Sequence, residues 1–195
     1  MSSRGQRVNH VGAYMLHGSA WRETSLIVQI FTREHGNVAL VAKGAKRPYS
    51  ALRAVLVAFQ PLVVSWSGAG EVKTLTRAEL AGIRRLDGRA LMSAWYMNEL
   101  LLRMLPREDP HPVLYDAYDA ALQALQEGGR AAAALRRFEW VLLEETGYGV
   151  GGDVPAFDDP EQERRMRPLL RARLDELLGR PLRTRTVMLE LQRYS

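Results

Sequence analysis

The chain has 195 residues, 47% hydrophobic and 25% charged, with a net charge of +5 and no cysteine. That length buries a core as one domain or two small ones, and the missing cysteines exclude disulfides and thiolate metal sites. The apolar run near 100–105 is broken by Asn98, Glu99 and Arg103, and the start MSSRGQRVNH is polar, so neither a membrane span nor a secretory leader is expected and the expected setting is the cytoplasm.

In chain order, strands come first. Stretches 10–17, 25–32 and 37–43 are short, alternating or apolar, and bounded by Gly, Ser or Asn. The break Glu34-His35-Gly36-Asn37 supplies Gly and Asn where a hairpin needs positive φ. A fourth strand is expected over 55–66, with Pro61 marking a bulge or an edge. After the turn Ser67-Gly68-Ala69-Gly70, stretch 71–79 alternates again. Five short strands point to a small barrel, of which the OB-fold is the best-known five-stranded case.

The period then changes. Asp87 is placed to cap a helix running to Leu105, apolar nearly all round and so expected to be central. Pro106 stops it. Pro112 opens a second helix that ends at Gly128-Gly129, and a third runs over 131–146 to Gly147. A Gly/Pro/Asp loop covers 149–160. Helices over 161–178, with a break near Pro168, and over 184–193 complete the chain. The fold class is therefore α+β: a five-stranded OB-fold β-barrel over 1–82, then an α-helical domain over 83–195.

Catalytic signals are missing. His10, His17, His35 and His111 have no metal-ligand spacing, and His10 and His17, seven apart in one strand, are expected on opposite faces. There is no nucleophile elbow and no Walker loop. Asp158-Asp159 and the nearby Glu161 and Glu163 read as loop-solvating acids. Gly147-Tyr148-Gly149-Val150-Gly151-Gly152 fits G-x-G-x-x-G, but a helix precedes it and a loop follows, which suits a helix C-cap better than a dinucleotide site. No enzyme activity and no cofactor is expected.

The charge is uneven. Residues 1–80 hold ten Lys/Arg against four Asp/Glu, and 81–195 hold seventeen against eighteen. A basic first domain points to an anionic partner, nucleic acid being the commonest, with a merely solvated face as the alternative. Lys43, Lys46, Arg47 and Arg53 follow the third strand, Arg22 and Arg33 lie near strand ends, and Lys73 and Arg77, at i and i+4, are expected on one strand face. Such a barrel tracks a phosphate backbone. Tyr49 and Trp66 are candidates to stack on bases or are core or surface filler.

The stretches WRETSLIVQIFTREHGNVALVAKGAKRP (21–48), FQPLVVSWSGAGEVKTLTRAE (59–79), YMNELLLRMLPREDPHPVLYDAY (96–118), LRRFEWVLLEETGYG (135–149) and GRPLRTR (179–185) together resemble the RecO family of bacterial recombination mediators. The resemblance implies an N-terminal OB-fold, a helical C-terminal domain and a cytoplasmic, nucleoid-associated protein. It implies binding of single- and double-stranded DNA, annealing of complementary strands and partnership with RecR. It further implies docking of the C-terminal tail of single-stranded-DNA-binding protein, so that RecA is loaded onto covered DNA. For the tail it points to Arg136 as the carboxylate partner, with Arg137 beside it and Tyr115, Tyr118 and Leu122 as a groove wall. Both arginines are otherwise ordinary exposed helix residues. Between Gly149 and Gly179 the chain is shorter than family members usually are, in a part where some carry a four-cysteine zinc module. Contacts made from there to DNA or RecR are in question, with the Arg-rich 164–173 stretch as a possible substitute. The alternative to a DNA-binding mediator is a protein-interaction adaptor for the tail or RecR, with little DNA binding of its own.

Overall fold

The computed structural model describes residues 7–128 and 131–187. They divide into two compact units: one reaches to Arg84 and includes Pro106–Pro110, and the other comprises Arg85–Leu105 and the residues from His111 on. The boundary lies two residues past the expected one. The expected division missed that 106–110 belongs with the first unit, where Glu108 N–H donates to Asn37 O at 3.0 Å.

The first unit is a closed barrel with strand order β1-β2-β3-β5-β4. Its strands are β1 (Arg7–Trp21), β2 (Ser25–Thr32), β3 (Gly36–Ala42), β4 (Pro61–Ser67) and β5 (Val72–Leu80), with a short helix α1 (Ala51–Val55) between β3 and β4. All pairings are antiparallel except β3 with β5. Inward residues of every strand make the core, among them Ala13, Val28, Ile30, Val38, Leu40, Leu62, Val64, Trp66 and Leu75. This is the OB-fold expected from five short strands, closed by the parallel pairing of Ala39, Leu40 and Val41 with Val72, Lys73 and Thr74.

The β2–β3 hairpin forms where Gly and Asn predicted it. Gly36 has φ 62, and Thr32 Oγ1 accepts the His35 N–H at 3.0 Å. The expected fourth strand is corrected at its start: Val55 ends α1, and β4 begins at Pro61. The apolar stretch before Pro61 contributes Val55 and Leu56 to the core from the helix and the turn after it. Pro61 suits a first strand position because it donates no ladder bond there.

Two expectations of strand alternation fail for one reason, namely bulges. In β5, Arg77 pairs with Ser65 and Leu75 with Trp66, so Thr76 is extra. Beyond it Ala78, not Arg77, packs on the core beside Leu75. Lys73 is buried and Arg77 exposed, so the two do not share a face. In β1 the register shifts between Val8 and Val11 and again between Met15 and His17, and both His10 and His17 are exposed.

The second unit contains α2 (Gly88–Met104), α3 (Pro112–Gln126), α4 (Ala131–Glu145) and α5 (Pro160–Leu178). Asp87 holds the N-cap position of α2, and Ala94, Tyr96, Met97, Asn98, Leu100 and Leu101 are buried, as suits a central helix. Helix α4 ends as its glycine predicts: Gly147 has φ 79, its N–H donates to Glu144 O, and the Tyr148 N–H donates to Leu143 O at 2.8 Å. These two bonds are a Schellman cap, and no helix opens until Pro160, so the G-x-G-x-x-G match is a helix end. Asp159 caps α5, accepting the Glu161 N–H at 2.9 Å. No break occurs at Pro168. It lies on the exposed side of α5, where water can satisfy the carbonyl its ring frees. Residues 183–187 are helical, and the rest of the helix expected over 184–193 lies outside the described residues, as does Gly129. No described helix is long and apolar enough to cross a membrane.

Candidate nucleic-acid interface

Strand β3 stops at Ala42, and the chain turns across the end of the barrel. Gly44 makes the turn with φ 72, and the Arg47 N–H closes it on Gly44 O at 3.0 Å. Ala45 is buried in the barrel core and pins the loop from below. Lys46 ties the loop to the neighbouring β1–β2 turn, its backbone N–H donating to Thr24 O at 2.9 Å and its ammonium to Arg22 O at 3.4 Å. Helix α1 follows, with Leu52 and Val55 packed on the core. The loop is thus a shaped surface held by backbone bonds and a buried alanine.

Lys43, Lys46, Arg47 and Arg53 are all exposed on this surface, and among the described residues none has an acidic partner. Arg22 is exposed on the adjoining turn, its guanidinium 5.9 Å from the centroid of the Trp21 ring. The fold therefore gathers five of the eight expected cations at one end of the barrel. The other three are elsewhere. Arg33 sits in the β2–β3 hairpin, at the opposite end of β3 from Lys43, and seven strand residues span about 23 Å. Arg77 is exposed but bonded twice to Glu79 Oε1, at 3.0 and 2.6 Å. Lys73 is turned to structural use: its ammonium donates to Gly70 O and pairs with Glu108, with only 9% of its side chain exposed. The two aromatic candidates also part. Trp66 is 1% exposed and belongs to the core, where the His35 ring meets it edge-on at 5.1 Å. Tyr49 is fully exposed in the basic loop.

Three of the five arginines of α5 differ from those of the barrel end, while Arg164 and Arg165 are exposed without an acidic partner among the described residues. Arg167 pairs with Glu163, Arg171 with Asp175 and Arg173 with Glu176. Their charge is largely compensated along the helix.

The expected tail-docking set is mostly enclosed. Tyr118 and Leu122 are fully buried, and the Tyr118 hydroxyl donates to Asn98 Oδ1 at 2.5 Å. As α3 core residues they do not wall an open groove. Tyr115 is half-buried. Arg136 donates to Glu139 Oε1 at 2.6 Å, and Arg137 is exposed and paired with Asp158 at 3.0 Å. Glu139 is the residue that sequence reading missed. It is wholly buried in α4 and also accepts the Tyr96 hydroxyl at 2.7 Å. Burial pushes its carboxyl up, against the pull of Arg136 and Tyr96, and burial together with Glu139 holds the Tyr96 hydroxyl well above the usual tyrosine range. The available signal was an acid lying between Phe138 and Trp140, three residues after an arginine.

Comparison with known proteins agrees with this architecture. The family model described as the N-terminal part of recombination protein O matches residues 8–84, and that of its C-terminal part matches 85–153. The DNA repair protein RecO of Aromatoleum aromaticum is 58% identical over 153 residues, covering 78% of this chain and 64% of that protein. The DNA repair protein RecO of Cupriavidus metallidurans is 56% identical over 148 residues, covering 75% and 50%. That of Azoarcus sp. is 54% identical over 146 residues, covering 74% and 60%. The chain thus spans about half to two thirds of the length of these relatives. With an OB-type barrel ahead of a helical unit, and both parts matched in order, the chain belongs to the RecO family.

Proposed function

We propose that the chain is a DNA-binding mediator of recombinational repair and not an enzyme. It binds single- and double-stranded DNA at the basic end of its barrel and anneals complementary strands. With RecR, it helps RecA load onto DNA covered by single-stranded-DNA-binding protein. The observation that carries the reading is the set of exposed cations, Lys43, Lys46, Arg47, Arg53 and Arg22, gathered on a shaped loop. Exposed cations without acidic partners, carried on a small barrel, suit a phosphate backbone. Family membership supports the same reading. Work of this kind is exchange between binding partners, driven by differential affinity. Docking of the acidic tail belongs to the proposal too, with Arg137 exposed and Arg136 and Tyr115 partly buried among the expected set.

The test is fluorescence anisotropy of a labelled single-stranded oligonucleotide across a salt series, for wild type and the Lys43→Ala/Lys46→Ala/Arg47→Ala triple variant. Wild type should bind tightly at low salt and weaken steeply with salt. If all three side chains meet phosphates, the triple variant should flatten the log–log slope by about 2, at roughly 0.7 per phosphate for a single strand. No wild-type binding at low salt would leave the adaptor reading in its place.

A further inference from the structure

Cations alone do not tell single strands from duplex, since both carry phosphates. The basic loop carries one more feature. In the turn 47–50 the Ser50 N–H donates to Arg47 O at 3.2 Å, with Pro48 and Tyr49 at its two central positions. Proline holds a negative φ, and Tyr49 has φ 61, which together make a type II turn. That position ordinarily takes glycine or asparagine, because a side chain there is strained. The tyrosine gains no packing in return: its side chain is fully exposed, the most exposed large hydrophobic group among the described residues. Arg47 and Pro48 precede it and Arg53 follows on α1, all of them exposed. A strained turn thus holds an aromatic face in water amid cations that have no acidic partner.

We propose that Tyr49 is a base-stacking platform that makes the basic end of the barrel favour single-stranded over double-stranded nucleic acid. The inference rests on the barrel end being the DNA interface. An unpaired strand can lay a base face on the ring while its phosphates lie among Lys43, Lys46 and Arg47, and stacking of this kind tolerates any sequence. Bases inside a duplex have both faces covered by neighbours and offer the ring nothing.

The experiment uses the full chain with a labelled oligonucleotide, alone and annealed to its complement. The variants are Tyr49→Ala, Tyr49→Gly, Tyr49→Trp and the triple cation variant. Tyr49→Ala and Tyr49→Gly should weaken single-strand binding by about 5- to 150-fold, the loss typical of one stacked base. Duplex affinity should stay within about twofold, and the salt slope should not change, because no phosphate contact is lost. Tyr49→Trp should keep single-strand affinity. Tyr49→Gly guards against misfolding, since glycine relieves the positive φ and its melting temperature should equal or exceed that of wild type. Equal losses on both substrates, or no loss on the single strand while the triple variant loses binding, would overturn stacking and leave the interface standing. Binding unaffected by the triple variant would remove the interface and the inference with it.

Discussion

Lys43 and Lys73 are chemically identical, and the structure assigns them opposite jobs. The same change, lysine to alanine, should therefore give opposite readouts. In Lys73→Ala the lost group is 9% exposed and donates to Gly70 O and to Glu108, a carboxylate 46% exposed. Removing one partner of a fully buried pair costs about 3–5 kcal/mol, but the solvated Glu108 is not stranded by the change. A charge-assisted bond then sets the scale, about 1.5–3 kcal/mol, and about 2 kcal/mol is the expected loss. For a unit of this size that lowers the melting temperature by roughly 8–16 °C. Single-strand affinity at 20 °C should stay within about twofold, with an unchanged salt slope, because this ammonium reaches no phosphate. Lys43→Ala should leave melting within about 4 °C, as exposed substitutions do, and should flatten the salt slope by about 0.7. Thermal melts and the anisotropy salt series measure both. A Lys73→Ala protein that melts like wild type but binds with a flatter slope would refute this assignment of roles.

Two further outcomes follow from the geometry. Gly36→Ala should unfold or severely destabilise the barrel, by more than about 2 kcal/mol in denaturant melts: a Cβ there would lie 2.0 Å from the Asp109 carbonyl oxygen, on a backbone with φ 62 that alanine strains to adopt. Glu99 should stabilise the helical unit above the ordinary carboxylate range and lose that effect as pH falls below it. Burial opposes its ionisation, but hydrogen bonds from the Thr184 and Arg183 backbone and from the Thr184 hydroxyl outweigh this and hold its pKa down, so the unfolded chain takes up protons first. Glu99→Gln should flatten the acid limb of stability against pH, and should speed amide exchange over 183–187 at neutral pH. Unchanged exchange would refute the capping role.

Much of this was legible in the residues. Alternation, with Gly and Asn at the turns, located the barrel strands, and the prolines and glycines located the helix ends, because these signals act within a few residues. Pro168 misled because a proline penalises a helix without always ending it, and on the exposed side of α5 water can satisfy the carbonyl that its ring frees. The interface was half legible. The run of Lys43, Lys46 and Arg47 after an apolar strand announced a basic loop, but nothing local separates those cations from Lys73, Arg77 or Arg33.

The sequence by itself determined the class of every main element apart from the short α1, the order of barrel before helices, the concentration of positive charge in the first part and, through its family resemblance, the kind of work expected. Only the tertiary structure decided which charges remain available. A single bulge at Thr76 reverses side-chain parity along β5, and a returning segment brings Glu108 to Lys73. Barrel closure buries Trp66 and leaves Tyr49 in water. Helix packing likewise seals Tyr118, Leu122 and Glu139 into the core. Each of these depends on residues far apart in the chain meeting in space, so no window of sequence contains it.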